Sequence, residues 1–253
     1  MTDKELIDNF EAKHKDVAIA YGGDGTLLKV VDAVGTKKGI VPIRNYARCK
    51  EHLTLLEDIC LGKNTIKELK AGLKYSKAPF LEAHLNTEIQ DDSQLLPATA
   101  TYRGIAEIVL KSFDPTEALR FSVVINNKTY MKQCIADGLI FSSKLGSHGY
   151  FKSVTRMLFT DNDAVGLGFI APTYGICNLI LKATDKVKIV LERGTDVSIA
   201  YDKKFETKSL KSGTEIELSQ SCEGVALYGY DIFCCQACRD LRNSTTINDK
   251  YIG

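Results

Sequence analysis

A short apolar run, followed at once by a glycine-rich turn and a helical pattern, constrains this chain more than any other feature. Residues 17–21 (VAIAY) show no polar alternation, which is typical of a strand covered on both faces in a parallel sheet. The sequence Gly22-Gly23-Asp24-Gly25-Thr26 ends that strand, and we expect Thr26 to cap a helix that stops at Gly35. The segment therefore predicts a strand, a tight turn and a helix.

The glycine-rich turn is suited to binding phosphate. Glycines let backbone N–H groups approach an anion closely, and the helix that follows adds unpaired donors and a partial positive charge. A carboxylate beside phosphate is repelled unless it binds a metal ion or accepts a proton from an attacking hydroxyl, which makes Asp24 the most diagnostic residue. The alternative is a turn in which Asp24 merely caps the helix. The motif fits neither the GxGxxG fingerprint nor the Walker P-loop.

The first third of the chain has an α/β pattern. Residues 3–14 predict an amphipathic helix, residues 38–43 a second strand, and residues 52–60 a helix with Leu53, Leu55, Leu56 and Ile59 inward. Together with the strand, turn and helix above, these elements form a βαβ unit.

The sequence pattern changes near residue 77, where short segments of alternating apolar and polar residues, separated by turn-forming residues, begin. They include residues 107–110, 121–125 and 187–191, and we predict hairpin loops at Asn126–Lys128 and Lys211–Gly213.

These patterns give an α/β domain at 1–77 and a β-rich domain at 78–235. The tail from about 236 to 253 can pack back on the first domain.

Composition excludes several classes of protein. Of the 253 residues, 44% are hydrophobic and 26% are charged, which is ordinary for a globular protein. The formal net charge of +1 makes nucleic acid an unfavourable main partner. No apolar run reaches the ~18 residues of a membrane helix and the start is charged, so we expect a cytoplasmic protein with no membrane contact.

The eight cysteines lack the density of a disulfide scaffold. Five of them are expected to be core or half-buried thiols: Cys49, Cys60, Cys134, Cys177 and Cys222. The cluster Cys234, Cys235 and Cys238 has a CxxC step but no two further zinc ligands near it, so thiols on a helix face are favoured over a metal site.

A second group of residues follows a predicted strand at positions 136–150, ADGLIFSSKLGSHGY. The loop is rich in small and hydroxylated residues and leads into a helix that begins near Tyr150. Such a loop can accept a ribose or a base through its backbone and hydroxyls, although a solvent-exposed connection is the alternative.

The glycine turn and this segment together resemble the NAD kinase family. Its signature is GGDGT, and a GDGLIVATPTGSTAY-like stretch follows more than a hundred residues later. Motif order, spacing, the change from α/β to β and the chain length all agree, so the resemblance covers nearly the whole sequence. GGDGT is shared with diacylglycerol and sphingosine kinases, but the later stretch favours NAD kinases. The implied fold is a small Rossmann-like N-terminal α/β domain with a β-rich, sandwich-like C-terminal domain.

The resemblance implies a role for each matching residue. Asp24 would be the general base that activates the 2′-hydroxyl of the adenosine ribose of NAD, and Asp137 would bind the nicotinamide-ribose side. Glu107 matches the acidic member of an Asn-Glu pair. Tyr150 matches a tyrosine that reaches into a neighbouring subunit, which implies a homodimer or homotetramer. The remaining matches line the phosphates or the substrate: Gly22, Gly23, Gly25, Thr26, Gly146 and Ser147. His148, beside them, is a candidate substrate contact although it differs from the family residue.

The chain departs from the family pattern at several positions. Ala106 stands where the family has the Asn expected to orient adenine, and losing such a hydrogen bond can change selectivity by orders of magnitude. Lys144, Leu145 and His148 replace Pro, Thr or Ser, and Thr. Residues 43–48 (IRNYAR) replace a Gly-Ile-Asn segment.

Five charged or titratable residues have more than one interpretation. Arg44, Lys144 and Arg48 can neutralise phosphates together, or can be ordinary surface charge. His148 is either a substrate contact or acid–base group, or simply solvated. Asp202 is interpreted first as a hairpin residue, and no protein metal site is predicted.

The leading interpretation is a kinase that uses ATP or polyphosphate with Mg²⁺ to phosphorylate NAD. A second keeps the chemistry but changes the acceptor to another nucleotide, a sugar or a lipid alcohol. A third is a nucleotide-binding regulator without turnover, which the presence of Asp24 disfavours.

Overall fold

The computed structural model describes residues 2–45, 56, 58–61, 71–91 and 94–233. The described residues divide into two compact units, with boundaries between Lys77 and Ala78 and between Gly224 and Val225. Each unit has an apolar core of its own.

The elements are named in chain order. The helices are α1 (Asp3–Lys13), α2 (Asp24–Val34), α3 (Tyr150–Thr155) and α4 (Tyr230–Phe233), with a 3₁₀ turn at Gly146–His148. The first seven strands are β1 (Val17–Tyr21), β2 (Gly39–Ile43), β3 (Tyr75–Asp91), β4 (Gln94–Gly104), β5 (Glu107–Ser112), β6 (Leu119–Ile125) and β7 (Lys128–Ala136). The others are β8 (Gly138–Ser142), β9 (Ala164–Ile170), β10 (Leu179–Lys182), β11 (Val187–Leu191), β12 (Thr195–Tyr201), β13 (Lys204–Leu210) and β14 (Glu215–Tyr228).

The first unit is built on the predicted parallel strands. β1 pairs with β2 in parallel, from Val17 opposite Gly39 to Tyr21 opposite Ile43, and Leu227 at the end of β14 continues the parallel pairing beside Ile40. Four successive residues of β1 are buried, as expected for a strand covered on both faces. The core of this unit comprises Phe10, Val17, Ile19, Val41, Ile43, Leu56, Ile59 and Leu73.

Two helices of this unit begin in different ways. Thr2 caps α1 in a reciprocal capping box with Glu5, which satisfies two N-terminal donors. Helix α2 begins at Asp24 with Gly23 as its cap and has no side-chain cap, so the prediction that Thr26 caps it was wrong. The extended backbone of Gly23 starts the helix earlier and leaves Thr26 inside the first turn.

The second unit is a sandwich of two mainly antiparallel sheets. One has six strands in the order β10-β9-β8-β5-β12-β13, and the other places β14, β11, β6 and β7 side by side, with the β3–β4 hairpin attached to β14. Apolar side chains from both sheets share one core, for example Leu81, Phe121, Leu139, Leu167, Ile189, Ile199 and Leu218. The predicted change from an α/β region to a β-rich region is confirmed.

One predicted hairpin is correct and the other is wrong. Asn126 and Asn127, with φ values of 49° and 63°, form a two-residue turn between β6 and β7. Residues 211–213 instead connect β13 to β14, which lie in different sheets, so they are a crossing turn and no hairpin.

The predicted burial of the cysteines is only partly correct, and several other predictions lie outside the described residues. Cys134 is buried and Cys60 is half-buried, but Cys177 and Cys222 are exposed, so the prediction of semi-burial was wrong for these two. Their strand and loop positions carry no local signal of exposure. Positions outside the described residues include Arg48, Cys49, His52, Leu53, Leu55, the Cys234–Cys238 cluster and the tail from 236.

Candidate functional site

The glycine turn joins the carboxyl end of β1 to the start of α2. The N–H of Gly22 donates a 2.8 Å hydrogen bond to the carbonyl of Ile43, the last residue of β2. Gly22 is buried, and there is no room for a larger residue, because a Cβ at this position would lie 2.3 Å from Thr26 Oγ1. The first N–H groups of an α-helix have no partner within the helix, so the start of α2 offers donors to an anion.

Asp24 is the first residue of α2, and its side chain is 58% exposed. Its Oδ1 accepts a 2.7 Å hydrogen bond from Arg44 Nη2, which makes a direct ion pair. The carboxylate is therefore held by a side chain from the end of β2 and is not absorbed in bonds within its own turn.

Arg44 is buried, with 8% of its surface exposed. Its Nε donates a 3.2 Å hydrogen bond to the carbonyl of Phe233, and its Cζ lies 3.7 Å from the centroid of the Phe233 ring. Its Nη1 is the nearest atom, at 3.8 Å, to a Cβ built on Gly23. Sequence reasoning placed Arg44 near phosphate, and the structure places its guanidinium beside the glycine turn.

The segment from Ser142 to Phe151 in the second unit is tied to the start of β5. Ser143 donates from its hydroxyl to Ile105 O at 2.6 Å and from its N–H to Ala106 O at 2.9 Å. Gly146 packs so closely on this strand that a Cβ on it would lie 2.2 Å from Ala106 O. The loop is therefore ordered by backbone contacts as well as by its hydroxyls.

Asp202 organises the other side of the same strand start. Its carboxylate accepts hydrogen bonds from the N–H groups of Ile105 at 2.9 Å and Ala106 at 2.8 Å. Asp202 itself lies in the β12–β13 turn with a φ of 51°, so the interpretation as a hairpin residue is correct but incomplete. Its carboxylate also fixes the residues that precede Glu107.

Glu107 is the most perturbed carboxyl group among the described residues. Burial, and then the negative charge of Asp202, raise its pKa to about 7, while an N–H donor from Phe151 acts in the opposite direction. Its Oε2 is fully buried and has no hydrogen-bond partner in the described part of the chain. A carboxyl group in this state can donate a proton or accept one near neutral pH.

Other predicted site residues have different degrees of exposure. Asp137 is exposed between β7 and β8, and His148 and Tyr150 are exposed at the start of α3. Lys144 is half-buried. Ser147 is fully buried and its hydroxyl lies within hydrogen-bonding distance of the carbonyls of Lys144 and Phe159, at 2.8 Å and 3.0 Å, so its single donor is used inside the protein.

The predicted residues thus fall into two groups, one in each unit. The first unit brings together Gly22, Gly23, Asp24, Thr26 and Arg44. The second brings Glu107 to the segment that contains Gly146 and the start of α3.

Sequence reasoning missed Phe233, Ser143 and the carboxylate role of Asp202. The Arg44–Asp24 pair had a usable signal, because parallel pairing of Tyr21 with Ile43 brings the residues after both strands together. Phe233 had none.

Within the described ranges, no three His, Cys, Asp or Glu side chains are grouped in a way that could hold a metal ion. Among those residues there is also no helix with the length and apolarity needed to cross a membrane.

Comparison with known proteins finds relatives in sequence and in structure, although not among protein-family models. No protein-family model matches the sequence. The chain is similar to the NAD kinase of Clostridium botulinum (strain Loch Maree / Type A3), with 26% identity over 238 residues, 91% of this chain and 80% of that protein. It is 24% identical over 262 aligned positions to the NAD kinase of the Alaska E43 / Type E3 strain, covering 99% of this chain and 87% of that protein.

Two solved structures share the fold. The yeast NADH kinase complexed with NADH superposes with a TM-score of 0.66 at 19% identity, over 84% of this chain and 61% of that one. This chain therefore spans less than two thirds of the yeast protein's length. An NAD kinase from Archaeoglobus fulgidus in complex with ATP gives a TM-score of 0.60 at 16% identity, over 87% of this chain and 80% of that one.

Proposed function

We propose that this chain, which is a diverged member of the NAD kinase family, transfers the terminal phosphoryl group of a donor to an alcohol group of NAD. The acceptor is the 2′-hydroxyl of the adenosine ribose, and the product is NADP. The observation that carries the proposal is Asp24, an exposed carboxylate at the start of the helix that follows the glycine turn. The sequence relatives named NAD kinase support the same reaction.

Asp24 is proposed as the general base. The ribose hydroxyl donates its proton to the carboxylate while its oxygen forms a bond to the terminal phosphorus. The bond from that phosphorus to the bridging oxygen breaks, and the shortened donor leaves with the electron pair. A carboxylate among phosphate-binding amides would weaken simple binding, so its presence supports a role in proton transfer.

The donor phosphates are proposed to bind at the glycine turn. The N–H groups of Gly23, Gly25 and the first turn of α2 supply donors, and the guanidinium of Arg44 adds positive charge beside them. The donor is proposed to be ATP, which the Archaeoglobus neighbour binds, with polyphosphate as the alternative.

Mg²⁺ is proposed to arrive on the donor phosphates. The ion commonly keeps several waters and uses few protein ligands, so it would be held mainly by the donor phosphates. When bound it neutralises developing negative charge on the transferred group.

Recognition of the acceptor is proposed to reside in the second unit. Asp137 would contact the nicotinamide-ribose side, Glu107, Gly146 and His148 would contact other parts of the substrate, and Lys144 would add charge. Ser147, whose buried hydroxyl is bonded to the carbonyls of Lys144 and Phe159, would hold the loop in place. Ala106 is 6% exposed, so position 106 presents almost no side chain to a ligand, and a different contact must orient adenine. Tyr150, 38% exposed, is proposed to reach a second copy in a cytoplasmic homodimer or homotetramer.

The test is turnover and binding by the Asp24→Asn variant. The asparagine keeps the size of the side chain and a hydrogen-bond acceptor for Arg44 but cannot take the proton. We expect NADP formation from NAD and Mg-ATP to fall by about 10²-fold or more, while calorimetry shows ATP bound with nearly unchanged affinity.

Two outcomes would count against the proposal. Unchanged turnover in Asp24→Asn would remove Asp24 as the base. Wild-type protein that binds NAD and ATP but forms no product with ATP or polyphosphate would instead favour a regulator. Assays with NADH and a nucleoside panel then separate NAD from other acceptors.

A further inference from the structure

Arg44, the partner of Asp24 in the ion pair, lies in the segment that replaces the Gly-Ile-Asn segment of the family pattern. Residues 43–45 of this chain are Ile43, Arg44 and Asn45. Tyr21 pairs with Ile43 across the parallel strands, so the residue after β2 comes level with the glycine turn after β1. The register therefore brings Arg44 to Asp24, and the 2.7 Å distance between Nη2 and Oδ1 is a consequence of the fold.

The two partners differ strongly in exposure. The side chain of Arg44 is 10% exposed, whereas that of Asp24 is 58% exposed. Arg44 is fixed by the carbonyl and the ring of Phe233, at 3.2 Å and 3.7 Å. An ordinary surface ion pair is weak because two flexible side chains must be ordered, but here the arginine is already ordered by its other contacts.

The orientation of the carboxylate follows from this asymmetry. Asp24 is the first residue of α2, its side chain is 58% exposed, and its Oδ1 is bonded to a guanidinium that is itself held by Phe233. Oδ1 accepts the bond from Arg44, so the proposed proton acceptance by Asp24 falls to the other carboxylate oxygen, Oδ2. Catalytic groups held in this way act without reorganisation, and a 1 Å misplacement is enough to slow a reaction about 10²-fold.

We propose that Arg44 is a positioning residue for the phosphoryl transfer, acting through Asp24, and that binding the donor phosphates is not its main role. This inference rests on the proposed function, because it needs Asp24 to be the base. It revises the sequence-based assignment of Arg44 to phosphate binding, which the ion pair and the stacking on Phe233 make secondary. The two roles affect different steady-state parameters, since loss of positioning lowers kcat and loss of a phosphate ligand raises KM for ATP.

The experiment compares Arg44→Met, Arg44→Lys, Asp24→Asn and the Arg44→Met/Asp24→Asn double variant. If Arg44 positions the base, Arg44→Met lowers kcat by about 10²-fold and changes KM for ATP by less than about 3-fold. In the Asp24→Asn background the same substitution has no further effect on kcat, since both changes remove one function. Arg44→Lys retains the charge but not the planar guanidinium, so its kcat should lie between the values of wild type and Arg44→Met.

Added guanidinium ion provides a rescue that a purely structural role would not show. Millimolar guanidinium chloride is expected to restore part of kcat in Arg44→Met and none in Asp24→Asn, with sodium chloride at equal ionic strength as the salt control. Arg103→Met is the matched control variant. Arg103 also stacks on a phenylalanine, Phe80, and is paired with Glu82 and Glu223, but it lies in the other unit. Its loss should leave kcat unchanged.

The outcomes separate the two proposals. A 10-fold or larger rise in KM for ATP with kcat retained would make Arg44 a phosphate ligand and overturn the positioning role. Multiplicative losses in the double variant would also overturn it, while leaving Asp24 as the base. If Asp24→Asn keeps full activity or wild type makes no product, the proposed function itself fails. Thermal unfolding shows whether each variant is folded. If Arg44→Met does not fold, the kinetic comparison uses Arg44→Lys instead.

Discussion

Thr26 closes over Gly22, so that a Cβ added to Gly22 would lie 2.3 Å from Thr26 Oγ1 and 2.8 Å from Thr26 Cβ. Rotating the hydroxyl relieves only the first contact, because the Cβ of Thr26 is fixed by the helix. We predict that Gly22→Ala lowers the free energy of unfolding by about 1–3 kcal/mol through overpacking. Chemical denaturation measures the change, and a variant as stable as wild type would contradict this packing.

Gly23, the next residue, provides the contrasting prediction. Its φ of −92° is open to any residue, and the nearest atom to an added Cβ is Arg44 Nη1 at 3.8 Å. Gly23→Ala should therefore change the unfolding free energy by less than about 1 kcal/mol. A methyl group beside the helix start hinders close approach of an anion, so KM for ATP should rise by about 10-fold, or roughly 1.4 kcal/mol. An unchanged KM would place the phosphates elsewhere.

Asp202 is predicted to stabilise the second unit through backbone bonds. Asp202→Ala leaves the N–H groups of Ile105 and Ala106 without their acceptor and places alanine at a φ of 51°. We expect a loss of about 2–4 kcal/mol in unfolding free energy. Asp202→Asn keeps one acceptor oxygen and tolerates this backbone conformation, so its loss should be clearly smaller. Equal losses in the two variants would show that these hydrogen bonds are not responsible.

Local patterns predicted the glycine turn and the parallel strands because glycine positions and apolar runs act within a few residues. The strand at 17–21, the turn at 22–23 and the turn at Asn126 and Asn127 are features of that kind. Residues 211–213 show the limit. The same turn-forming residues serve a hairpin or a crossing between sheets, and the outcome is decided by the partner of each strand, since β13 pairs with β12 in one sheet and β14 pairs with β11 in the other.

The chemical contacts of the candidate site depend on longer separations. Arg44 meets Asp24 only after β2 has paired with β1, and it meets Phe233 from 189 positions away. Asp202 reaches Ala106 across 96 positions. Residue type and local position therefore singled out Asp24 as a candidate, but could not predict that Arg44 contacts its carboxylate.

The raised pKa of Glu107 predicts how the stability of the protein varies with pH. Its pKa is about 7 in the folded protein and 4.5 as the reference value for an exposed glutamate, so between these pH values the folded state holds a proton that the unfolded state has lost. The unfolding free energy should fall as pH rises from about 4.5 to 7, by at most roughly 3 kcal/mol. Below this window both states are protonated and above it both are ionised, so this contribution is constant.

Glu107→Gln tests this prediction because glutamine is neutral at every pH in the range and has nearly the same shape. Denaturation at a series of pH values should show a flatter profile than wild type between pH 4.5 and 7, with the variant more stable above pH 7. Glu217→Gln, an exposed carboxylate with 47% of its side chain accessible, is the matched control and should keep the wild-type slope. Asp202→Asn should move the Glu107 transition to lower pH, since the charge of Asp202 contributes to the raised pKa. If Glu107→Gln retained the full wild-type slope, another group would have to carry the proton.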